Sequence, residues 1–284
     1  MPEFLGIDIK TLYDGGFQFC QTGLIRKVLE ATGKVNCNGL PTPTMVEAPL
    51  GTDLNGYEDK IDWTNSYASV IGMMLYLASN TRPDISFDIH QCAWFTHNTK
   101  ASHETAVKRI CRYLHGTKEN GLVFNPSKKL VVDFYADAYF AGRWGHEYPQ
   151  DPICARSRTG FVVNFYNCPL LWVSKLQTYI ALSTLNSEYV ALSHPIRALL
   201  NLEALIKEVI ENLVIKSENL KFVSSSTIYE DNNGDIVVAT NPRTTLTSKH
   251  IAVKYHWFRQ HVGKEFVIRN IKSENQKADI FTKG

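Results

Sequence analysis

The chain has 284 residues, 44% hydrophobic and 20% charged, which is the composition of a folded protein with material for one or two domains. No run of about 18 apolar residues occurs, so a membrane-spanning helix is not expected, and the start MPEFLGIDIK lacks the basic and apolar regions of a secretory leader. The six cysteines contain no CxxC pair, which argues against a zinc site or a disulfide framework and for buried thiols in a reducing compartment. A net charge of +2 says little, but its distribution says more. Between Arg243 and Lys283 there are nine Lys/Arg and three Asp/Glu, as a phosphate-contacting surface or a solvated helix face would have.

Residues 4–22 read as two short strands, FLGIDIK and FQFCQT, joined at Asp14-Gly15-Gly16, a hairpin signal. A short helix over about Gly23 to Thr32 follows, then an irregular connection through residues 33–62, which carry Pro41, Pro43 and Pro49. Residues 63–116 turn helical. NSYASVIGMMLYLASN has a broad apolar face, and Pro83 opens a second helix where its missing N–H costs nothing. Ser102 is placed to cap a third, HETAVKRICRYLHG, which ends at Gly116. Lys108, Arg109 and Arg112 share about one face of it and are candidates for a nucleic-acid backbone; solvated helix charges are the plainer alternative.

Past Asn125-Pro126-Ser127 the period changes, which places a boundary near residue 128 and divides the chain into 1–127 and 128–284. LVVDFYADA is a strand, and GFVVNFYN and PLLWVSK are two more, joined tightly at Cys168-Pro169. A long helix is expected from about Ser183 to Leu213, with a break near Pro195. TIYED is a fourth strand leading into a helix, Lys249 to Val262 is helical, EFVIRNI is a fifth strand and ENQKADIFTK a closing helix. The order βββαβαβα is that of an α/β mixed sheet with three antiparallel strands first.

Four acids stand out in this second half: Asp137 in YADAYFAG, Glu188 in LSTLNSEYVAL, Asp231 in IYEDNNGDI and Asp279 in NQKADIFTK. Asp133, Tyr135 and Asp137 share one strand face, and a strand end can present a carboxylate to a ligand without burying an unpaired charge. Asp137 and Asp231 on neighbouring parallel strands would meet at one sheet edge, where open α/β sheets bind ligands. Glu188 on the long helix and Asp279 on the last one would close the ring. Clustered carboxylates repel, so the set calls for a cation, and all-oxygen ligands select Mg²⁺ or Mn²⁺. Two such ions serve phosphodiester hydrolysis. Taken singly, each acid reads as a surface residue, and Asp133 or Asp235 would be equally good candidates. An acid/base pair of Asp137 and Glu188 for glycoside chemistry would leave Asp231, Asp279 and the basic tail unused.

The ordered stretches FLGIDI, YASVIGMMLYLASNTRPDISFDI, HETAVKRICRYLHGTKENGL, YADAYFAG, SRTGFVV, LLWVSKLQTYIALST, SEYVALS, EDNNGDI, SKHIAVKYHWFRQHV and NQKADIFTKG cover essentially the whole chain. Together they resemble the C-terminal part of the Pol polyprotein of copia-type LTR retrotransposons, the end of the reverse transcriptase followed by RNase H. The resemblance implies an RNase H-like domain preceded by a mostly helical thumb and connection region with a short β-hairpin. It implies two Mg²⁺ ions, with Mn²⁺ as substitute, held by Asp137, Glu188, Asp231 and Asp279, and hydrolysis of the RNA strand of RNA/DNA hybrids. Asn232, with Asn186 and Asn233, would approach RNA 2′-hydroxyls, and Lys249, His250 and His256 match the family's KHI…YH motif.

Implied partners are the hybrid and the rest of the reverse transcriptase or a second Pol subunit, with no membrane. The implied place is a cytoplasmic particle, or the nucleus. The YxDD polymerase motif is absent, so polymerisation is not expected of this chain. Tyr139 and Asn186 stand where acids are common in the family, Asp235 stands where a small or apolar residue is usual, and WGHEYPQDPICARSRTG is longer than in many members. These departures keep open the alternative of a non-catalytic nucleic-acid-binding or structural remnant of a truncated element.

Overall fold

The computed structural model describes residues 3–44, 50–51, 66–125, 132–142, 154–165, 167–212, 226–241 and 256–283. The chain forms two compact units, one built chiefly from the residues up to Asn125 and the other chiefly from Pro126 to Thr282.

Among its described residues the first unit pairs a small antiparallel sheet with four α-helices. Strands β1 (Glu3–Phe4), β2 (Ile7–Thr11), β3 (Phe17–Cys20) and β4 (Leu122–Phe124) hydrogen-bond in the order β1-β2-β3-β4. The β2–β3 hairpin turns at Asp14-Gly15-Gly16 as its sequence predicts. Gly15 takes φ 83°, and the Gly16 N–H donates to Asp14 Oδ1 at 3.0 Å. Sequence patterning identified that hairpin but not β1 or β4, which are two and three residues long.

Helix α1 (Thr22–Ala31) buries Ile25, Val28 and Leu29 on one face. It ends at Gly33, whose φ of 64° lets Lys34 N–H reach the Leu29 carbonyl at 2.7 Å. Helix α2 (Tyr67–Asn80) is capped by Ser66 Oγ, which accepts from Ser69 N–H. Pro83 opens a 3₁₀ turn that runs directly into α3 (Ser86–Ala93). Helix α4 (Ala101–Gly116) starts two residues earlier than a Ser102 cap would allow: the residue before it is Lys100, whose N–H donates to His103 Nδ1 at 3.0 Å. Val28, Val70, Met74, Leu77, Ile89, Val107 and Ile110 fill the core between these helices.

The second unit holds a five-stranded mixed sheet, β5 (Val132–Tyr139), β6 (Arg158–Phe165), β7 (Cys168–Leu176), β8 (Ser226–Glu230) and β9 (Phe266–Asn270). Its order is β7-β6-β5-β8-β9. The first three strands are antiparallel neighbours, and β5, β8 and β9 run parallel. This is the mixed sheet with three antiparallel strands first that the element order predicts, with β5 at the centre. Helix α5 (Thr184–Asn212) and helix α6 (Asn233–Thr240) connect and cover the parallel strands.

The period-2 alternation of β5 divides its side chains between two layers. Val132, Phe134 and Ala136 pack with Tyr189, Leu192, Ile196 and Ile228 on the α5 side, each large side chain contributing about 1.5–3 kcal/mol. Tyr135 packs with Val162, Ala278 and Phe281 on the other.

Two expectations fail here. Helix α5 runs unbroken through Pro195. The proline leaves the local backbone ladder one donor short, and the side chains of Ser193 and His194 both donate to the Val190 carbonyl beside it, at 2.7 and 2.8 Å. The closing segment is not one helix but two 3₁₀ turns, Ser273–Asn275 and Asp279–Phe281. Of the helix expected over Lys249 to Val262, the part before His256 lies outside the described residues, and Trp257–His261 is 3₁₀.

Candidate active site

Strand pairing brings the first acids to one sheet edge. Strands β5 and β8 are adjacent and parallel, with Tyr135 opposite Tyr229, so Asp137 and Asp231 lie two residues further along neighbouring chains in the same direction. Asp137 is 2% exposed. It lies on the face of Asp133 and Tyr135, where the Thr282 hydroxyl donates to Oδ2.

That contact depends on Gly160, the cross-strand partner of Asp137. A Cβ at residue 160 would stand 2.6 Å from Thr282 Cγ2 and 2.8 Å from Phe281 Cβ. Only glycine lets the C-terminal turn settle on β6. Gln276 fixes the same turn from the other end, its Nε2 donating to the Ala136 carbonyl at 2.7 Å. Ser174 does so from below, donating to the Phe281 carbonyl at 2.5 Å. Asp279 is half-buried in this turn, and its carbonyl lies 3.1 Å from the Thr282 hydroxyl. The segments of Asp137 and Asp279 are therefore linked through Thr282.

Glu188 comes from the second turn of α5. Ser183 starts that helix by accepting from Asn186 N–H at 3.1 Å. Gln177 Nε2 ties it to the β7 end by donating to the Ser187 carbonyl at 2.8 Å. Asp231 follows β8 directly, and Ser273 Oγ donates to its Oδ2 at 2.6 Å. Asn232 caps α6, its Oδ1 accepting from Gly234 N–H at 2.9 Å.

Two further acids join the set. Glu230 shares the face of Ser226 and Ile228, which is the α5 side, and Asp235 lies in the first turn of α6; both are fully buried. Glu230 Oε1 accepts from Asn232 N–H at 3.2 Å. Glu188 Oε2, Glu230 Oε2 and both oxygens of Asp235 are buried with no hydrogen-bond partner among the described residues.

The electrostatics follow from that burial. Desolvation, then repulsion from Asp137, Asp235 and Asp231, pushes the Glu188 carboxyl up to about 9. Desolvation and Asp231 push Asp235 up to about 8. Glu230 is raised well above the carboxylate range by burial, then by Glu188 and Asp235. Burial and mutual repulsion thus favour the protonated form of these groups, and a cation would favour the ionised one. Among the described residues no three His, Cys, Asp or Glu side chains converge into a ready coordination shell.

The remaining predicted residues have assigned places. His256 Nδ1 lies 3.0 Å from the Tyr189 hydroxyl, which also accepts from Arg259 Nε at 3.0 Å. Asn186 is buried and accepts from the Tyr179 hydroxyl, while Asn233 is exposed. Lys249 and His250 lie outside the described residues.

In the first unit, Lys108 pairs with Glu104. Arg109 donates to Thr42 Oγ1 and Arg112 to the Asn38 carbonyl, both at 3.0 Å. Those two arginines tether the 38–42 segment to α4.

Sequence reasoning missed Glu230, Gln276, Thr282 and Gly160 as parts of the site. Period 2 in STIYE would have put Glu230 on the Ile228 face; nothing local marks the others.

No family model matches the chain. It is 28% identical over 281 residues, 99% of its length, to the retrovirus-related Pol polyprotein from transposon RE1 of Arabidopsis thaliana, covering 18% of that protein. It is 30% identical over 267 residues, 93% of its length, to the corresponding polyprotein from transposon TNT 1-94 of Nicotiana tabacum, covering 19%. An uncharacterized mitochondrial protein of Arabidopsis thaliana is 30% identical over 191 residues, 67% of this chain and 73% of that one.

Solved structures that align with it include an RNase H1 isolated from compost, at 17% identity and TM-score 0.36, over 54% of this chain and 93% of that one. An N-terminal RNase H domain from Mycobacterium tuberculosis aligns at 12% identity and TM-score 0.33, over 54% and 91%. The chain thus spans less than a fifth of the length of the Pol polyproteins it matches. Along nearly its whole length the chain is homologous to a segment of the retrovirus-related Pol polyproteins of copia-type transposons.

Proposed function

We propose that the second unit is a divalent-cation-dependent nuclease that hydrolyses the RNA strand of RNA/DNA hybrids. On this reading Asp137, Glu188, Asp231 and Asp279 hold the cations, and the first unit is the C-terminal part of a reverse transcriptase, comprising its last palm strands, thumb and connection. The observation that carries the reading is the meeting of Asp137 and Asp231 at the ends of the parallel strands β5 and β8, with the buried Glu188 of α5 close enough to feel both charges. A protein that buries such groups without a counter-charge loses stability, and a hard cation with oxygen affinity removes the cost.

The residues present fit that group. They supply only oxygen ligands, and Mg²⁺ keeps several waters and takes one or two carboxylates directly, so a closed protein shell is not required. Bound there, the two ions would activate a water and stabilise the leaving oxygen of a phosphodiester.

The chain's own residues prepare the edge. The Thr282 hydroxyl fixes the rotamer of Asp137. Ser273 does the same for Asp231. Glu188 is aimed by the tie between Gln177 and the start of α5. The Asn232 cap presents the positive end of α6 to the acidic edge. Asn233, the exposed first residue of α6, is open to a 2′-hydroxyl. Hybrid binding through phosphates would fall with salt.

The test is cleavage of a labelled RNA strand within a hybrid in Mg²⁺ or Mn²⁺, with Asp137→Asn as control. Cleavage by the parent chain that the substitution abolishes, with circular dichroism unchanged, supports the reading. A folded parent chain that binds hybrid but cleaves nothing in either metal assigns the non-catalytic alternative instead.

A further inference from the structure

We infer that Glu230 and Asp235 extend the cation site to the helix side of the sheet, so that a divalent ion is held there by carboxylates beyond the four named above. The inference rests on the reading that the edge binds a divalent cation.

Three observations carry it. First, the faces differ. Asp137 lies on the Tyr135 side, against the C-terminal turn, whereas Glu230 shares the Ser226 and Ile228 face, and the Ser226 hydroxyl donates to Glu203 of α5. Glu188, from α5, feels charges from both sets. Its charged neighbours are Asp137, Asp235 and Asp231, while those of Glu230 are Glu188, Asp235 and Asp231.

Second, four carboxylate oxygens are buried with nothing among the described residues to receive them. Asp235 and Glu230 are 0% exposed and Glu188 is 6% exposed. Both oxygens of Asp235 and one each of Glu188 and Glu230 lack any hydrogen-bond partner among the described residues. Buried carboxylates normally recruit backbone N–H or side-chain donors, and three neighbours that recruit so few between them leave room for a cation. Third, all available ligands are oxygen, which selects Mg²⁺, Mn²⁺ or Ca²⁺ over softer ions. Among the described residues no three such side chains converge; the ion we infer takes one or two carboxylates directly and water for the rest.

The test is isothermal titration of the full chain with Mn²⁺ and with Mg²⁺, comparing the parent with Asp235→Asn, Glu230→Gln and Asp137→Asn, each checked for fold by near-ultraviolet circular dichroism. The inference expects Asp235→Asn to weaken affinity by about 10–100-fold, the range for lost metal-supporting groups, and Glu230→Gln to do so independently if the first variant misfolds. Unchanged affinity in folded Asp235→Asn and Glu230→Gln, with affinity lost in Asp137→Asn, overturns the extension and leaves the proposed nuclease standing. No binding by the parent chain overturns both.

Discussion

Replacing Glu188 with glutamine should flatten the pH dependence of stability in metal-free protein. Glu188 is 6% exposed, and burial beside Asp137, Asp235 and Asp231 pushes its carboxyl to about 9 from an ordinary 4.5. Because the folded value lies above the unfolded one, the folded chain binds one more proton between those limits. The stability contributed by the protonated form is complete below pH 4.5 and is lost as pH rises to about 9. Each pH unit in that window costs about 1.4 kcal/mol, so this single group accounts for about 3 kcal/mol between pH 6 and pH 8. Glu188→Gln removes the titration while keeping the volume.

The assay is urea unfolding in EDTA at pH 6, 7 and 8 for the parent and the variant. The parent should lose stability steeply and the variant by about 3 kcal/mol less over the same span, and saturating Mg²⁺ should flatten the parent curve. Parallel loss in the two proteins would refute the electrostatic account of the buried edge.

Other outcomes follow from named contacts. Gly160→Ala puts a methyl 2.6 Å from Thr282 Cγ2 and 3.0 Å from the Ala278 carbonyl. It should cost about 1–3 kcal/mol by thermal unfolding and, if the proposed nuclease reading holds, lower hybrid cleavage as well. Thr282→Val deletes the donor to buried Asp137; a loss of about 1–3 kcal/mol in urea is expected. In the first unit Arg82 is 1% exposed and donates to Asp84, the Thr117 carbonyl and Thr117 Oγ1. Arg82→Ala should destabilise that unit by about 3–5 kcal/mol, read by hydrogen exchange across α2 and α4, while the α5 amides keep their protection.

What sequence could show was governed by period and by turn chemistry. The alternation in LVVDFYADA and GFVVNFYN, and the Asn-Asn-Gly after IYED, were enough to place β5, β6, β8 and the start of α6, because the hydrophobic pattern and the cap are both local. Strand β4 was invisible because three residues carry no period; it exists only by pairing with β3. The continuity of α5 through Pro195 was hidden because a proline inside a helical pattern reads as a break, whereas the helix keeps its course through it. The C-terminal segment looked helical from its residues, yet Gln276, Ser174 and the Gly160 notch hold it in 3₁₀ turns through contacts more than 100 residues away in sequence. The same distance hides the site's supports: Asp137 was legible as an acid at a strand end, and Thr282 as its donor was not. Glu230 was masked by its neighbour Asp231, since two adjacent acids read as one exposed turn until the strand face is known.

The most direct measurement of the central claim is anomalous scattering from crystals of the chain soaked in Mn²⁺. The account predicts anomalous peaks at the β5–β8 edge within coordination distance of Asp137, Glu188 and Asp231, lost in Asp137→Asn. Well-diffracting soaked crystals with no peak at that edge, or with peaks only elsewhere, would contradict it.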